Sequence, residues 1–168
     1  MRKFARFAAL SLSVLAVSTS ALPLFAADLR TMKDPAQIAT LFPAGAKLRV
    51  LNLWAIWCAP CVAEMPDLRA IDALFGPEVA IAGVSLDDML PDAKLENTQS
   101  FLEKQRIEFP NVYYTGDLEA LAKVLKIDGE IPITIVYDGN GKEVWRHAGR
   151  LDREETITRL RDALRRTK

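Results

Sequence analysis

Two stretches of the chain are apolar at almost every position, Leu48 to Ala55 and Val79 to Ser85. The first is broken only by Arg49 near its start and Asn52 in its middle. Such a run, without alternation, predicts a strand buried on both faces, as in a parallel sheet covered by helices. Between the two runs, Val62, Met65, Leu68, Ile71 and Leu74 recur at helical spacing. They predict a helix from Cys58 to about Phe75, with Pro66 kinking it and Gly76-Pro77 ending it. Upstream, Asp34-Pro35 reads as a cap and first position of a short helix to about Leu41. Downstream, Asp92 to Lys104 reads as a surface helix, and Asn111 to Tyr114 as a short strand behind Pro110. Asp117 caps a helix carrying Leu118, Leu121, Val124 and Leu125 on one face. Ile133 to Tyr137 and Glu143 to Ala148 flank Asp138-Gly139-Asn140-Gly141, the pattern of a hairpin. Asp152 with Glu155 opens a last helix with Ile157, Leu160 and Leu164 facing inward.

Strands alternating with helices predict a parallel sheet, and the terminal hairpin adds antiparallel members. The expected fold class is α/β: a mixed central sheet with helices on both faces and a central helix-strand-helix insert. The sequence holds no internal repeat and no low-complexity segment.

The first residues do not fit that domain. Arg2, Lys3 and Arg6 precede a mostly apolar stretch, Phe7 to Val17, and small residues follow at Ala26 and Ala27. This is the pattern of a secretory signal. Residues 1–27 are expected to be a signal peptide and 28–168 the folded domain. The competing reading is an uncleaved membrane anchor, since residues 7–27 carry no charge. The whole chain has 22 basic and 22 acidic residues, and loss of the leader leaves 19 against 22. No basic surplus points to nucleic acid. No haem, flavin or nucleotide motif is visible, so no cofactor is expected.

The chemistry lies where the first apolar run ends, in Trp57-Cys58-Ala59-Pro60-Cys61, which holds the chain's two cysteines. As a structural staple the pair would add little. A ring this short contributes about 2 kcal/mol, against about 3 for a fifteen-residue loop. A structural zinc site needs four ligands, and the chain offers one distant histidine, His147. Two thiols at this spacing can instead close and reopen a ring. Cys58 sits where a helix begins, so free backbone N–H groups and the helix dipole favour its thiolate. Cys58 is therefore the expected nucleophile and the more buried Cys61 the resolving thiol. Ala59 and Pro60 set the turn, and Trp57 borders the site. An exported chain works where disulfides persist.

Asn-Leu-Trp-Ala-x-Trp-Cys-x-Pro-Cys-x-x-Glu-Met-Pro, Gly-Glu-Ile-Pro-Ile-Thr and Asp-Gly-Asn-Gly-Lys together resemble the thioredoxin superfamily. Within it they resemble the exported TlpA/ResA family, which includes the cytochrome c maturation thioredoxins. The resemblance implies a thioredoxin-like fold, with Asp92 to Ile127 as the family's insert. It places Glu64 at the family's active-site glutamate, where a carboxyl raised by burial would move protons for Cys61. It places Pro132 at the family's cis-proline, with Ile131 offering its backbone to a partner segment. Cytoplasmic thioredoxins carry a buried aspartate where this chain has Asn52. Trp54 reads as core and His147 as an ordinary strand residue. Asp87 reads equally as a turn residue or as one that shapes the site.

What the resemblance implies for function is a periplasmic thiol-disulfide oxidoreductase. It would reduce disulfides in exported partner proteins, for example in cytochrome c or copper-site maturation. Its electrons would come from a membrane thiol donor. The alternatives are a disulfide oxidase or isomerase, and a Cu(I) carrier holding the metal between the same two soft ligands. A peroxidase needs a lone reactive cysteine, and the paired motif argues against it.

Overall fold

We describe the fold from a computed structural model, whose described residues are 26–167. The expected signal segment lies outside them except for Ala26 and Ala27. The two apolar runs lie side by side at the centre of the sheet. Strand β2 is Leu48–Trp54 and β3 is Val79–Ser85, paired parallel with Asn52 opposite Gly83. The earlier elements are β1, Leu29–Met32, and a 3-10 helix, Pro35–Leu41. Helix α1, Ala59–Phe75, makes the crossover from β2 to β3. The insert follows as α2 (Leu95–Gln105), β4 (Asn111–Tyr114) and α3 (Leu118–Leu125). The chain closes with β5 (Ile133–Asp138), β6 (Glu143–Ala148) and α4 (Arg153–Arg166). The six strands lie in the order β1-β4-β3-β2-β5-β6. β5 runs antiparallel to both β2 and β6, and the other pairs are parallel.

Both faces of the sheet are covered, which is why β2 and β3 show no alternation. On one face Leu48, Val50 and Trp54 pack with Met65, Leu68 and Ile71 of α1, Leu102 of α2 and Leu160 of α4. On the other, Leu51, Leu53 and Val84 pack with Ile38 and Leu41 of the 3-10 helix and Leu121 and Leu125 of α3. Trp54 is core, as expected. Its ring lies 5.4 Å from Phe101, and its indole N–H donates to Asn111 Oδ1 at 3.0 Å. That hydrogen bond passes directly over Gly83, where a Cβ would overlap the Asn111 side-chain oxygen. Glycine is required there by close approach, not by backbone conformation.

Several expectations change. β1 is an edge strand that the sequence did not announce. It pairs with β4, Leu29 opposite Asn111. The segment after Asp34 is capped as expected, with Ala36 N–H donating to Asp34 Oδ1 at 2.9 Å, but it winds as a 3-10 helix. α2 begins at Leu95 rather than Asp92, because Asp87–Met89 forms a 3-10 turn and Ala93 N–H still bonds back to Leu90 O at 3.0 Å. Leu74, Leu118 and Val124 are exposed. Leu74 falls in the last turn of α1, and the short α3 covers the sheet through Leu121 and Leu125 alone. Pro66 lies inside α1, which continues past it. Asp152 Oδ1 accepts Glu155 N–H at 2.8 Å, while the Glu155 carboxylate turns to Arg159 at 2.7 Å instead of completing a capping box. Among the described residues no helix is long and apolar enough to cross a membrane.

Candidate functional site

β2 delivers the chain to the top of the sheet, and four residues, Ala55 to Cys58, turn it into α1. That turn is pinned by Asp87 at the end of β3. Asp87 is buried, and its carboxylate accepts from Ile56 N–H at 2.8 Å and from the hydroxyls of Ser85 and Thr98, both at 2.7 Å. It thus heads the next turn and shapes the site at once. Trp57 is left 44% exposed beside the cysteines.

Cys58 and Cys61 form a disulfide, with Cα atoms 5.2 Å apart. Cys58 is the N-cap of α1, and Cys61 N–H points at its Sγ, 3.3 Å away. An N–H aimed at that sulfur at a helix N-terminus favours a negative charge on it once the bond is reduced. Cys61 is completely buried, whereas Cys58 is 6% exposed. Ala59 and Pro60, between them, are exposed.

β5 brings up the opposite side of the site. The Ile131–Pro132 peptide bond is cis, and Pro132 is buried. The Ile131 carbonyl oxygen lies 3.7 Å from Cys58 Sγ. In the disulfide this is a contact only. In the dithiol form the Cys58 S–H gains an acceptor there.

Glu64 stands one helical turn after Cys61 and is completely buried with it. Its Oε1 accepts from Asn52 Nδ2 at 2.8 Å, and its Oε2 accepts from Leu151 N–H at 2.9 Å. Asn52 Nδ2 also donates to Thr134 Oγ1 at 3.0 Å, so a polar chain crosses β2 and β5 beneath the cysteines. Burial pushes the Glu64 carboxyl above its usual range. The Leu151 and Asn52 hydrogen bonds, and the positive charge of His147 and Arg150, pull it back part of the way.

The structure therefore gathers Trp57, Cys58, Ala59, Pro60, Cys61, Ile131 and Pro132 at one end of the sheet, with Glu64 beneath. Sequence reading missed Thr134, the Leu151 N–H and Thr98. Thr134 had one local signal, a hydroxyl residue in an apolar strand. The other two had none. His147 lies on β6, opposite Thr134 of β5. Among the described residues no group of three His, Cys, Asp or Glu side chains is placed to hold a metal.

The AhpC/TSA family profile matches residues 19–146. A thiol:disulfide interchange protein DsbE homolog from Paracoccus denitrificans is 31% identical over 116 residues, 67% of this chain and 57% of that protein. The thiol-disulfide oxidoreductase ResA of Oceanobacillus iheyensis is 33% identical over 112 residues, 63% of this chain and 53% of that protein. The chain thus spans little more than half the length of these curated relatives. The crystal structure of a thioredoxin family thiol:disulfide interchange protein from Chlorobium tepidum superposes with a TM-score of 0.60 at 23% identity, over 75% of this chain and 83% of that one. That likeness shows a thioredoxin-like fold. Matched from residue 19 through most of β6, the chain belongs to the AhpC/TSA family, and within it to the thioredoxin-like proteins of the ResA, TlpA and DsbE type.

Proposed function

We propose that this protein is an exported thiol-disulfide oxidoreductase that reduces disulfides in partner proteins. The observation that carries the reading is a disulfide between two cysteines of unequal exposure at a helix N-terminus. In the reduced protein the Cys58 thiolate attacks a partner disulfide. A bond forms between Cys58 Sγ and one partner sulfur, and the other leaves as a thiolate. Cys61, deprotonated, then attacks Cys58 Sγ. The Cys58–Cys61 disulfide forms, and the partner departs with both electrons. Glu64 takes the proton from Cys61, which the raised carboxyl supports. The partner segment lies over Trp57, Ala59 and Pro60 and along the Ile131 carbonyl. Met89 and Leu90, exposed on the β3 side of the site, extend the apolar surface.

The names of the relatives support the reaction class. The N-terminal pattern supports export to the periplasm as a signal peptide with a mature domain from residue 28. Apocytochrome c or a copper-site assembly protein is the partner that the family resemblance favours, with a membrane thiol donor supplying electrons.

Equilibration of the chain with a thiol buffer tests the direction of transfer. A reduction potential near −270 mV, like thioredoxin's, supports a reductant. One near −120 mV, like DsbA's, overturns it in favour of an oxidase. Copper titration of the reduced protein settles the carrier alternative: tight Cu(I) binding lost in both Cys58→Ser and Cys61→Ser supports a carrier.

A further inference from the structure

The chain's single histidine meets Glu64 through one peptide group. His147 lies on β6 opposite Thr134, the residue that receives the Asn52 amide. Its Nε2 is 3.2 Å from the carbonyl oxygen of Arg150. A carbonyl only accepts, so Nε2 carries the hydrogen. The next atom along that peptide is Leu151 N, whose N–H donates to Glu64 Oε2 at 2.9 Å. The Arg150–Leu151 peptide is therefore held at both ends, by the imidazole at its oxygen and by the buried carboxyl at its N–H.

We propose that His147 is a positioning residue for Glu64, holding the Leu151 N–H on the carboxyl through this peptide group. The proposal rests on the reading above, in which Glu64 handles the Cys61 proton. A donor on the carbonyl polarises the peptide, and hydrogen bonds in a chain strengthen one another. The imidazole N–H thus sharpens the Leu151 N–H toward an ionised Glu64. Without that donor the Leu151 hydrogen bond relaxes, and Glu64 holds its proton more firmly.

The other charges around His147 are arranged in pairs. Asp67 of α1 faces Arg150 at 3.7 Å and Arg153 of α4 at 3.8 Å. Arg159 of α4 pairs with Glu155 at 2.7 Å and lies over the Trp145 ring. Trp145 in turn flanks the imidazole, with ring centres 5.9 Å apart.

The Leu151 amide is the reporter. Its nitrogen chemical shift is followed against pH in the oxidised whole chain, where the cysteines do not titrate, and the Glu64 step is the one that disappears in Glu64→Gln. In His147→Ala the Glu64 midpoint rises, and the Leu151 amide exchanges about tenfold faster, the effect of one lost hydrogen bond. In His147→Gln the side-chain amide still donates to Arg150 O, which restores protection and brings the midpoint back toward the wild type. A Glu64 midpoint unmoved in His147→Ala, or exchange that His147→Gln does not restore, overturns the proposal. Insulin disulfide reduction is measured in parallel. Normal reduction with an unmoved midpoint discards the coupling alone, and a moved midpoint without reduction discards the proposed function alone.

Discussion

Glu64→Gln changes the stability of the oxidised protein by an amount that depends on pH. The carboxylate accepts two hydrogen bonds, from Asn52 Nδ2 at 2.8 Å and from Leu151 N–H at 2.9 Å. Glutamine offers one acceptor oxygen and one amino group, so one of those donors loses its acceptor. A buried donor without a partner costs about 1–3 kcal/mol. Asn52 can recover part of this, because its own Oδ1 is buried without a partner. Turning that amide over presents the oxygen to the new amino group. The wild type adds a pH-dependent part. Its carboxyl binds a proton more tightly in the native state, where burial raises it, than in the unfolded chain, where 4.5 is the reference. That contribution is whole below the unfolded value and is lost as pH rises through the raised native value, with a limiting slope of about 1.4 kcal/mol per pH unit. Glutamine has no such slope. The deficit of the variant is therefore largest near the acid end and shrinks toward pH 8. Urea unfolding of both oxidised proteins at several pH values measures it. Asp72, also raised by burial, is common to both proteins and cancels in the difference. A difference constant across that range refutes the reasoning.

Cys61→Ser leaves a nucleophile that cannot be released, so a partner accumulates on Cys58 as a mixed disulfide visible on a non-reducing gel. Cys58→Ser gives no adduct and does not turn over insulin. Asp87→Ala strips the acceptor from Ile56 N–H, Ser85 and Thr98, and lowers stability by about 2–4 kcal/mol in chemical denaturation. Asp87→Asn, which keeps one oxygen for Ile56 N–H, loses less. Gly83→Ala drives a methyl group into the Asn111 oxygen that holds the Trp54 indole. It lowers stability by about 1–3 kcal/mol and alters the near-ultraviolet circular dichroism of Trp54; an unchanged spectrum at full stability contradicts the packing described.

The central strands, the cysteine-bearing helix and the hairpin are legible in the sequence because each is a local pattern. Leu48–Trp54 and Val79–Ser85 are apolar whichever way they face, and Asp-Gly-Asn-Gly can hardly be anything but a turn. β1 is not legible, since four residues gain strand character only by pairing with β4. The site divides in the same way. Cys58 and Cys61 announce themselves by spacing. Glu64 does not reveal its partners, because the Leu151 N–H arrives from 87 positions away. Asp87 and Asp88 look alike in sequence, yet one is buried with three donors around it and the other is exposed. Leu118 and Val124 show the reverse failure: helical spacing gives a direction, but the width of the surface beneath decides how much of it is covered.

The unequal burial of the two sulfurs has a consequence for traffic through the protein. Cys61 is completely buried, and Cys58 keeps only a small exposed part, with the Ile131 carbonyl oxygen 3.7 Å from its sulfur. An outside thiol finds one doorway, and whatever enters by it is bonded to the sulfur that its neighbour can reach from behind. No adduct can be stranded on the inner sulfur. In a compartment crowded with thiols and disulfides, the shape of that doorway sorts the visitors before any difference in potential is felt. Two proteins with the same redox poise thus serve separate clients, told apart by how each client presents a sulfur to that opening.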